Sequence, residues 1–163
     1  MNIKILVCYH KVSPIIANEV LQPILLGAEN AKEQVKDELE NLCHRVNVKL
    51  YYDDSGEHIS SLNPYFCELT AMYWAWKNLE ADYYGLFHYR RVFDFRGKTP
   101  LNNPYDVNKI RLSPSQLQHT FGLSAQSIES MLKTADIIAS KRIIVSYGWE
   151  SSRFFNQYEI YAR

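Results

Sequence analysis

Short apolar runs recur along the chain and predict the strands of a sheet. Residues 3–8 form such a run, which is typical of a strand buried on both faces of a parallel sheet. Residues 46–52 alternate in polarity and residues 83–89 are aromatic and apolar, so each range predicts another strand. Residues 137–139 predict a short fourth strand.

The stretches between these strands have either helical periodicity or the composition of a loop. Residues 28–42 are charged and amphipathic and predict a helix, as do residues 124–134. Residues 149–161 are expected to open a final helix. Residues 97–114 are polar, hold three of the six prolines and predict a long loop.

A further helix is expected to begin at Asn63, which suits the N-cap, with Pro64 at the first helical position. It is expected to run to about residue 79. Its large apolar side chains form overlapping stripes and are expected to be buried: Phe66, Leu69, Met72, Tyr73, Trp76 and Leu79. The order β-α-β-α-β, followed by loop, α and β, predicts a single α/β domain over residues 1–163 with a mainly parallel sheet.

Polar residues follow each predicted strand. Because ligands of open α/β sheets bind at the carboxyl ends of the strands, these residues are expected to share one rim. The four polar ends are Tyr9-His10-Lys11, Asp53-Asp54-Ser55-Gly56, His88-Tyr89-Arg90-Arg91 and Ser140-Lys141-Arg142.

The predicted strand at 83–89 ends in two adjacent guanidinium groups. Alternation along the strand places His88 and Arg90 on one face and Arg91 on the other. Arginine grips a phosphate in two places, and a diphosphate leaving group requires neutralisation by cations or by a metal. Surface ion pairs with carboxylates would also explain both arginines, but the neighbouring histidine and the other polar ends favour an anion-binding site.

Four other side chains each have two interpretations. Glu68 either complements a helix dipole or fixes the fork of a nearby arginine as its partner. His10 either contacts a nucleotide or simply ends a strand. Asp53 and Asp54 either hold a ribose or a metal, or form a turn.

Composition limits the class of protein. Lys plus Arg and Asp plus Glu number 18 each, so the net charge is zero and gives no general attraction to nucleic acid. The three cysteines form no C-x-x-C pair, which disfavours a zinc site and fits a reducing cytosol. No segment has the length and apolarity of a membrane span. The sequence lacks the fingerprints of P-loop NTPases, dinucleotide-binding proteins, serine hydrolases and zinc proteases, and it lacks Asp-x-Asp.

Two segments resemble the DUF4422 family of bacterial proteins, which are often described as capsular or exopolysaccharide glycosyltransferases. They read KILVCYHK and DDSGEHISSLNPYFCELTAMYWAWKNLEADYYGLFHYRRVF, and the later segment ADIIASKR is more loosely similar. The resemblance implies a GT-A-like, Rossmann-type three-layer sandwich that binds a nucleotide sugar. In such folds the strand that carries Asp-x-Asp corresponds to residues 83–89, which here end in a His-Tyr-Arg-Arg sequence. Family members usually run well past 163 residues, so the chain is expected to be truncated at the C-terminus relative to a longer family domain.

These observations predict a glycosyltransferase that transfers a sugar from a nucleotide-diphosphate donor, a UDP-sugar, to a growing surface polysaccharide or a lipid-linked glycan. Arg90 and Arg91 would neutralise the diphosphate, Glu68 would orient them, and His88 would act near the sugar as a positioning group or a base. The donor ligands are expected to be Tyr9, His10, Asp53, Asp54, Asn63 and Tyr89. A divalent ion, Mn or Mg, is compatible with such a donor, but cationic side chains are expected to do part of its work.

A non-catalytic sugar-nucleotide or glycan-binding module of a polysaccharide-assembly complex is the alternative. Nucleic-acid binding is disfavoured by the zero net charge. The chain is expected in the cytoplasm, as a peripheral protein at the inner face of the membrane.

Overall fold

Four parallel strands form the sheet in the described part of the chain. A computed structural model describes residues 1–96 and 112–139. The strands are β1 (Ile3–Tyr9), β2 (Leu21–Leu25), β3 (Tyr51–Tyr52) and β4 (Tyr83–His88), in the spatial order β3-β2-β1-β4. Each pairing between neighbours is parallel. The predicted α/β class with a mainly parallel sheet is confirmed.

Helices cover both faces of this sheet. They are α1 (Glu33–Arg45), α2 (Asn63–Phe66), α3 (Leu69–Asn78), α4 (Pro114–Phe121) and α5 (Ala125–Leu132). On one face, Leu39 of α1 and Ile128 of α5 pack against side chains of β1, such as Val7. On the other face, Ala71 and Trp74 of α3 pack against the alternate side chains of β1, β2 and β4. Because successive strand residues point to opposite faces, β1 is buried on both, as its apolar run predicts.

The strand pattern differs from the prediction at β2 and β3. β2 was not predicted, since its Pro23 lacks a backbone N–H and argues against a strand. The structure tolerates Pro23 there because β3 pairs only with the next two residues of β2. The strand predicted over residues 46–52 is reduced to Tyr51–Tyr52, because Val46 and Val48 donate their N–H groups to the carbonyl of Cys43 and complete the end of α1.

The helices differ from the prediction mainly at their ends. The helix predicted from residue 28 begins at Glu33, because residues Ala28–Asn30 form a 3-10 turn. The helix over 124–134 is confirmed as α5. α4 was not predicted, although Ser113 and Gln116 form a capping box at its start. Residues 137–139 form no strand in the described part of the chain. The helix predicted over 149–161, the end Ser140-Lys141-Arg142 and most of the loop over 97–114 lie outside the described residues.

The helix predicted over 63–79 is broken, and its buried face is not the expected one. Cys67 has φ 48°, in the left-handed region that favours glycine, and it separates α2 from α3. The small side chains of α3 allow it to approach the sheet closely, and its buried residues are Thr70, Ala71, Trp74 and Ala75. The expected burial of the larger side chains was therefore wrong for four of the six, whose exposed fractions are 46% for Phe66, 52% for Leu69, 53% for Met72 and 70% for Trp76.

Asp53 joins the chain segments that follow β2 and β3. Its carboxylate is fully buried and accepts hydrogen bonds from the backbone N–H groups of Gly27 and Ala28, both at 2.9 Å. It also accepts hydrogen bonds from the hydroxyls of Ser60 and Thr70, both at 2.6 Å. All of this acceptor capacity faces the protein, so the structure gives Asp53 a structural role in place of the predicted contact with a ribose or a metal.

Replacing Asp53 tests this role. Asp53→Ala leaves two backbone donors and two hydroxyls without their acceptor, and we expect the free energy of unfolding to fall by about 3 kcal/mol or more. Asp54→Ala is the matched control, because Asp54 is only half-buried and accepts no hydrogen bond from the described residues. We expect it to change stability by less than about 0.5 kcal/mol. Urea denaturation measures both variants, and equal losses would contradict the assignment.

Candidate functional site

The order of the strands reverses at one point of the described sheet, and we call the carboxyl end of that point the crevice. The connection that follows β1 leads to β2 on one side, whereas β3 connects to β4 on the other side of β1. Such a reversal separates the loops after the two adjacent strands, and ligands of open α/β sheets bind there. In this chain the crevice lies between the residues that follow β1 and those that follow β4.

Aromatic rings from both strand ends meet at this crevice. Cys8 of β1 lies opposite His88 of β4, so the residues that follow them are neighbours. The ring centroids of His10 and His88 lie 5.9 Å apart, and His10 meets Tyr89 edge-on at 5.4 Å. Tyr89 in turn stacks on Tyr9 at 5.6 Å.

Two cationic side chains lie near the ring of Tyr89, and the charge of a third, Arg91, acts on His88. The guanidinium carbon of Arg90 lies 5.1 Å from the ring centroid of Tyr89, and Nζ of Lys11 lies 6.0 Å from it. Arg91 follows directly and, like Arg90 and Lys11, is exposed. The ion pairs found among the described residues join other groups, namely the N-terminus with Glu129, Lys36 with Glu33, and Lys77 with Glu57. No carboxylate of the described residues therefore forms an ion pair with this cluster.

The surroundings lower the pKa of both histidines. Burial is the main cause that lowers the pKa of His10, followed by the charges of Lys11 and Arg90. Burial also lowers the pKa of His88, followed by the charge of Arg90. The charge of Glu68 opposes the shift of both pKa values. Two imidazoles with lowered pKa values thus lie within a positively charged crevice.

The hydrogen bonding of His88 bears on its predicted role. The backbone N–H of Arg90 donates to Nδ1 of His88 at 3.1 Å. In the neutral imidazole the proton then resides on Nε2, which can donate a hydrogen bond to a ligand. Of the two roles predicted for His88, this geometry favours the positioning group over the base.

Glu68 lies near the histidines and does not pair with the arginines. It is half-buried at the break between α2 and α3, and it forms no ion pair among the described residues. The predicted pairing with Arg90 or Arg91 is therefore absent from the described contacts. The backbone before Glu68 is fixed by Asn63, whose side-chain amide donates to the carbonyl of Cys67 at 2.9 Å and to the hydroxyl of Thr70 at 3.1 Å.

Two other predicted ligands are committed to the fold. Asn63 is the first residue of α2 and supports the Cys67 turn, so it is neither the predicted N-cap nor directed at the crevice. Tyr9 is fully buried, and its hydroxyl donates to the carbonyl of Pro14 at 3.2 Å and accepts from the N–H of Ile16 at 2.8 Å. The ring of Tyr9 stacks on the ring of Tyr89, and its hydroxyl is already bonded within the protein.

The predicted rim of four strand ends is divided into two parts. The residues after β1 and β4 meet at the crevice, whereas Asp53 and Asp54 follow β3, which lies two strand intervals from β1 and three from β4, or about 10–14 Å at the usual spacing. No group of three or more His, Cys, Asp or Glu side chains in residues 1–96 and 112–139 is arranged to hold a metal ion.

Two features of the crevice were not singled out from the sequence. Lys11 belongs to a predicted polar end, and only the pairing of β1 with β4 shows that it joins the arginines. The hydroxyl of Tyr89 is buried and has no hydrogen-bond partner in the described structure. Buried polar atoms are rarely left unpaired, so this hydroxyl stands out among the described side chains.

The fold is glycosyltransferase-like. The chain is similar to a solved structure of WbbM, a bifunctional glycosyltransferase in its apo form, with 30% sequence identity and a TM-score of 0.68. The match covers 82% of this chain and 22% of that chain, so the chain spans about a fifth of the length of WbbM.

No curated protein matches the chain in sequence. Within the described residues, none of the helices has the length and apolarity needed to cross a membrane. The family model for the domain of unknown function DUF4422 matches residues 4–162, which is nearly the whole chain. The chain therefore belongs to the DUF4422 family.

Proposed function

We propose that residues 1–163 are the donor-binding domain of a glycosyltransferase that takes its sugar from a nucleotide diphosphate, with UDP as the nucleotide. The observation that carries the proposal is the cluster of Lys11, Arg90 and Arg91 at the crevice, with no carboxylate partner among the described residues. In a chain of zero net charge, three cations at one crevice without an ion-pair partner among the described residues form a local anion-binding site. The likeness to WbbM supports sugar transfer as the chemistry.

A diphosphate matches the number and type of these groups. Arg90 and Arg91 offer planar forks that bind phosphate oxygens in two places, and Lys11 adds a point charge from the facing strand. Negative charge grows on the diphosphate as the bond to the sugar breaks, so fixed cations at that point stabilise the transition state. We assign this role to the three cations in the place where other GT-A-like folds use a metal.

The remaining residues of the crevice have supporting roles in this proposal. Nε2 of His88 donates a hydrogen bond to the donor near its sugar, and His10 lies beside it against the nucleotide. The hydroxyl of Tyr89 binds a donor oxygen, which would satisfy this buried group. Asp54 is available to a ribose that extends along the rim towards β3. Tyr9 and Asp53 act through the fold, and the acceptor is a surface polysaccharide or a lipid-linked glycan.

A non-catalytic donor-binding module is the second candidate. One observation favours it: the chain spans about a fifth of the length of WbbM. Transfer or hydrolysis of a UDP-sugar by this chain would exclude the module, because both reactions break the bond between sugar and phosphate.

Arg90→Ala tests the role of the cations. We expect it to weaken UDP binding by roughly tenfold or more in isothermal titration calorimetry, because a hydrogen bond to a charged group contributes about 1.5–3 kcal/mol. Arg45→Ala is the matched control, since Arg45 is an exposed cation at the end of α1. Equal affinity for wild type and Arg90→Ala would contradict the proposal.

The same titration with Mn²⁺ and with EDTA tests whether the side-chain cations act in place of a metal ion. Binding that disappears in EDTA would contradict that role.

The lowered pKa values of the histidines predict a pH dependence of binding. Bound diphosphate favours the imidazolium form and raises both pKa values, so binding takes up protons. Affinity for UDP-glucose, a probe whose diphosphate charge is constant in this range, should therefore rise as the pH falls below about 6.5. Calorimetry in buffers of different ionisation enthalpy measures the proton uptake. His10→Gln and His88→Gln should each reduce it, whereas His44→Gln, on the exposed surface of α1, should leave it unchanged.

A further inference from the structure

One carboxylate beside the crevice has no role in the binding of the diphosphate. Glu68 has helical backbone angles and directly precedes α3, three and seven positions before Ala71 and Ala75. Side chains at this spacing share one side of a helix. Ala71 and Ala75 are buried on the sheet in one cluster with Cys8 of β1. The side chain of Glu68 therefore lies on the side of α3 that faces the sheet.

The parallel sheet brings the start of α3 to the same end as the crevice. The chain that joins two parallel strands must return from the carboxyl end of the sheet to its amino end, and α3 makes that return between β3 and β4. His88 is the strand partner of Cys8, so both project from the face that α3 covers. Burial lowers the pKa of His10 and of His88, and the charge of Glu68 opposes both shifts, which agrees with this placement.

The carboxylate of Glu68 is held in place without a partner among the described residues. It is half-buried, it forms no ion pair there, and it does not cap α3 with a hydrogen bond. The backbone before it is fixed, because the side-chain amide of Asn63 donates to the carbonyl of Cys67 at 2.9 Å. An ionised carboxylate only accepts hydrogen bonds, and its two oxygens can accept from two donors at once. Neighbouring hydroxyl groups of a sugar ring are such a pair of donors.

We propose that Glu68 binds hydroxyl groups of the donor sugar and makes the site selective for a neutral sugar over a uronic acid. This inference rests on the proposed function, because it requires the diphosphate to occupy Arg90 and Arg91. The sugar then lies near His88, whose face of the sheet Glu68 shares. Hydroxyl groups donate to a carboxylate, whereas the carboxylate of a uronic acid cannot donate and would meet a like charge. The cations therefore select the diphosphate, and Glu68 selects the sugar.

Isothermal titration calorimetry with matched donors tests the selectivity. The pairs are UDP-glucose with UDP-glucuronic acid and UDP-galactose with UDP-galacturonic acid, which differ only in a hydroxymethyl group replaced by a carboxylate. We expect the wild type to bind the neutral member of each pair about tenfold more tightly, because juxtaposed like charges disfavour the other member. Glu68→Gln keeps the shape and removes the charge, so it should reduce this preference by about fivefold or more while the affinity for UDP alone changes by less than about threefold.

Glu80→Gln is the matched control for the removal of a carboxylate. Glu80 is exposed and precedes β4, at the opposite end of the sheet from the crevice. We expect this variant to keep the preference of the wild type for neutral sugars. Circular dichroism confirms that both variants are folded.

Three results would overturn the proposal. The first is a wild type that binds both members of each pair equally. The second is a preference that Glu68→Gln retains, because another group would then select the sugar. The third is an equal loss of affinity for UDP and all four UDP-sugars in Glu68→Gln, since Glu68 would then act only through the fold. A wild type that does not bind UDP at all would contradict the proposed function itself, whereas UDP binding without a preference between sugars contradicts only the role of Glu68.

Discussion

The parallel pairing of β4 with β1 is the constraint on which the candidate site depends. It brings two strand ends, which are followed by Lys11 and by Arg90 and Arg91, to within one strand spacing of each other. The continuous register from Ile3 opposite Tyr83 to Cys8 opposite His88 holds them there. The buried stack of Tyr9 and Tyr89 extends the pairing beyond the last strand residue. The strand pairing and the aromatic stack thus keep the cationic residues of both strand ends close together.

A separate hydrogen-bond network around Asp53 fixes the other half of the rim. The buried carboxylate of Asp53 draws together the turn after β2, the end of β3 and the start of α3. Thr70 connects this network to the crevice, because it also accepts from Asn63, which supports the turn at Cys67 and so the position of Glu68. A buried polar network of this kind is stable only when every member is satisfied, and each oxygen of Asp53 accepts two hydrogen bonds.

The sequence was informative where the signal is local. The apolar runs of β1 and β4 and the polar residues that follow them could be read from periodicity and composition, and they contain every residue of the crevice except Glu68. The order of the strands in the sheet could not be predicted, because backbone hydrogen bonds between strands do not depend on which residues the strands contain. Asp53 and Asp54 were therefore grouped with Arg90, although three strand intervals separate them.

The buried side of α3 shows a different limit. Trp74 and Trp76 are equally apolar, so periodicity alone could not tell which one packs on the sheet. The deciding factor is shape, since the small side chains of Ala71 and Ala75 flank Trp74 and allow this side of α3 to approach the sheet closely. Trp74 also donates a hydrogen bond from its indole N–H to the carbonyl of Ser55 at 2.8 Å.

The uncompensated cations of the crevice have a consequence for the energetics of the whole chain. A nucleotide diphosphate bound there, as proposed, would pair with these cations in the folded chain only. Occupancy and folding are then linked by mass action, since a ligand that binds only the native state stabilises that state in proportion to its concentration. A donor bound as proposed would therefore also stabilise the folded domain, to an extent set by the concentration of that donor.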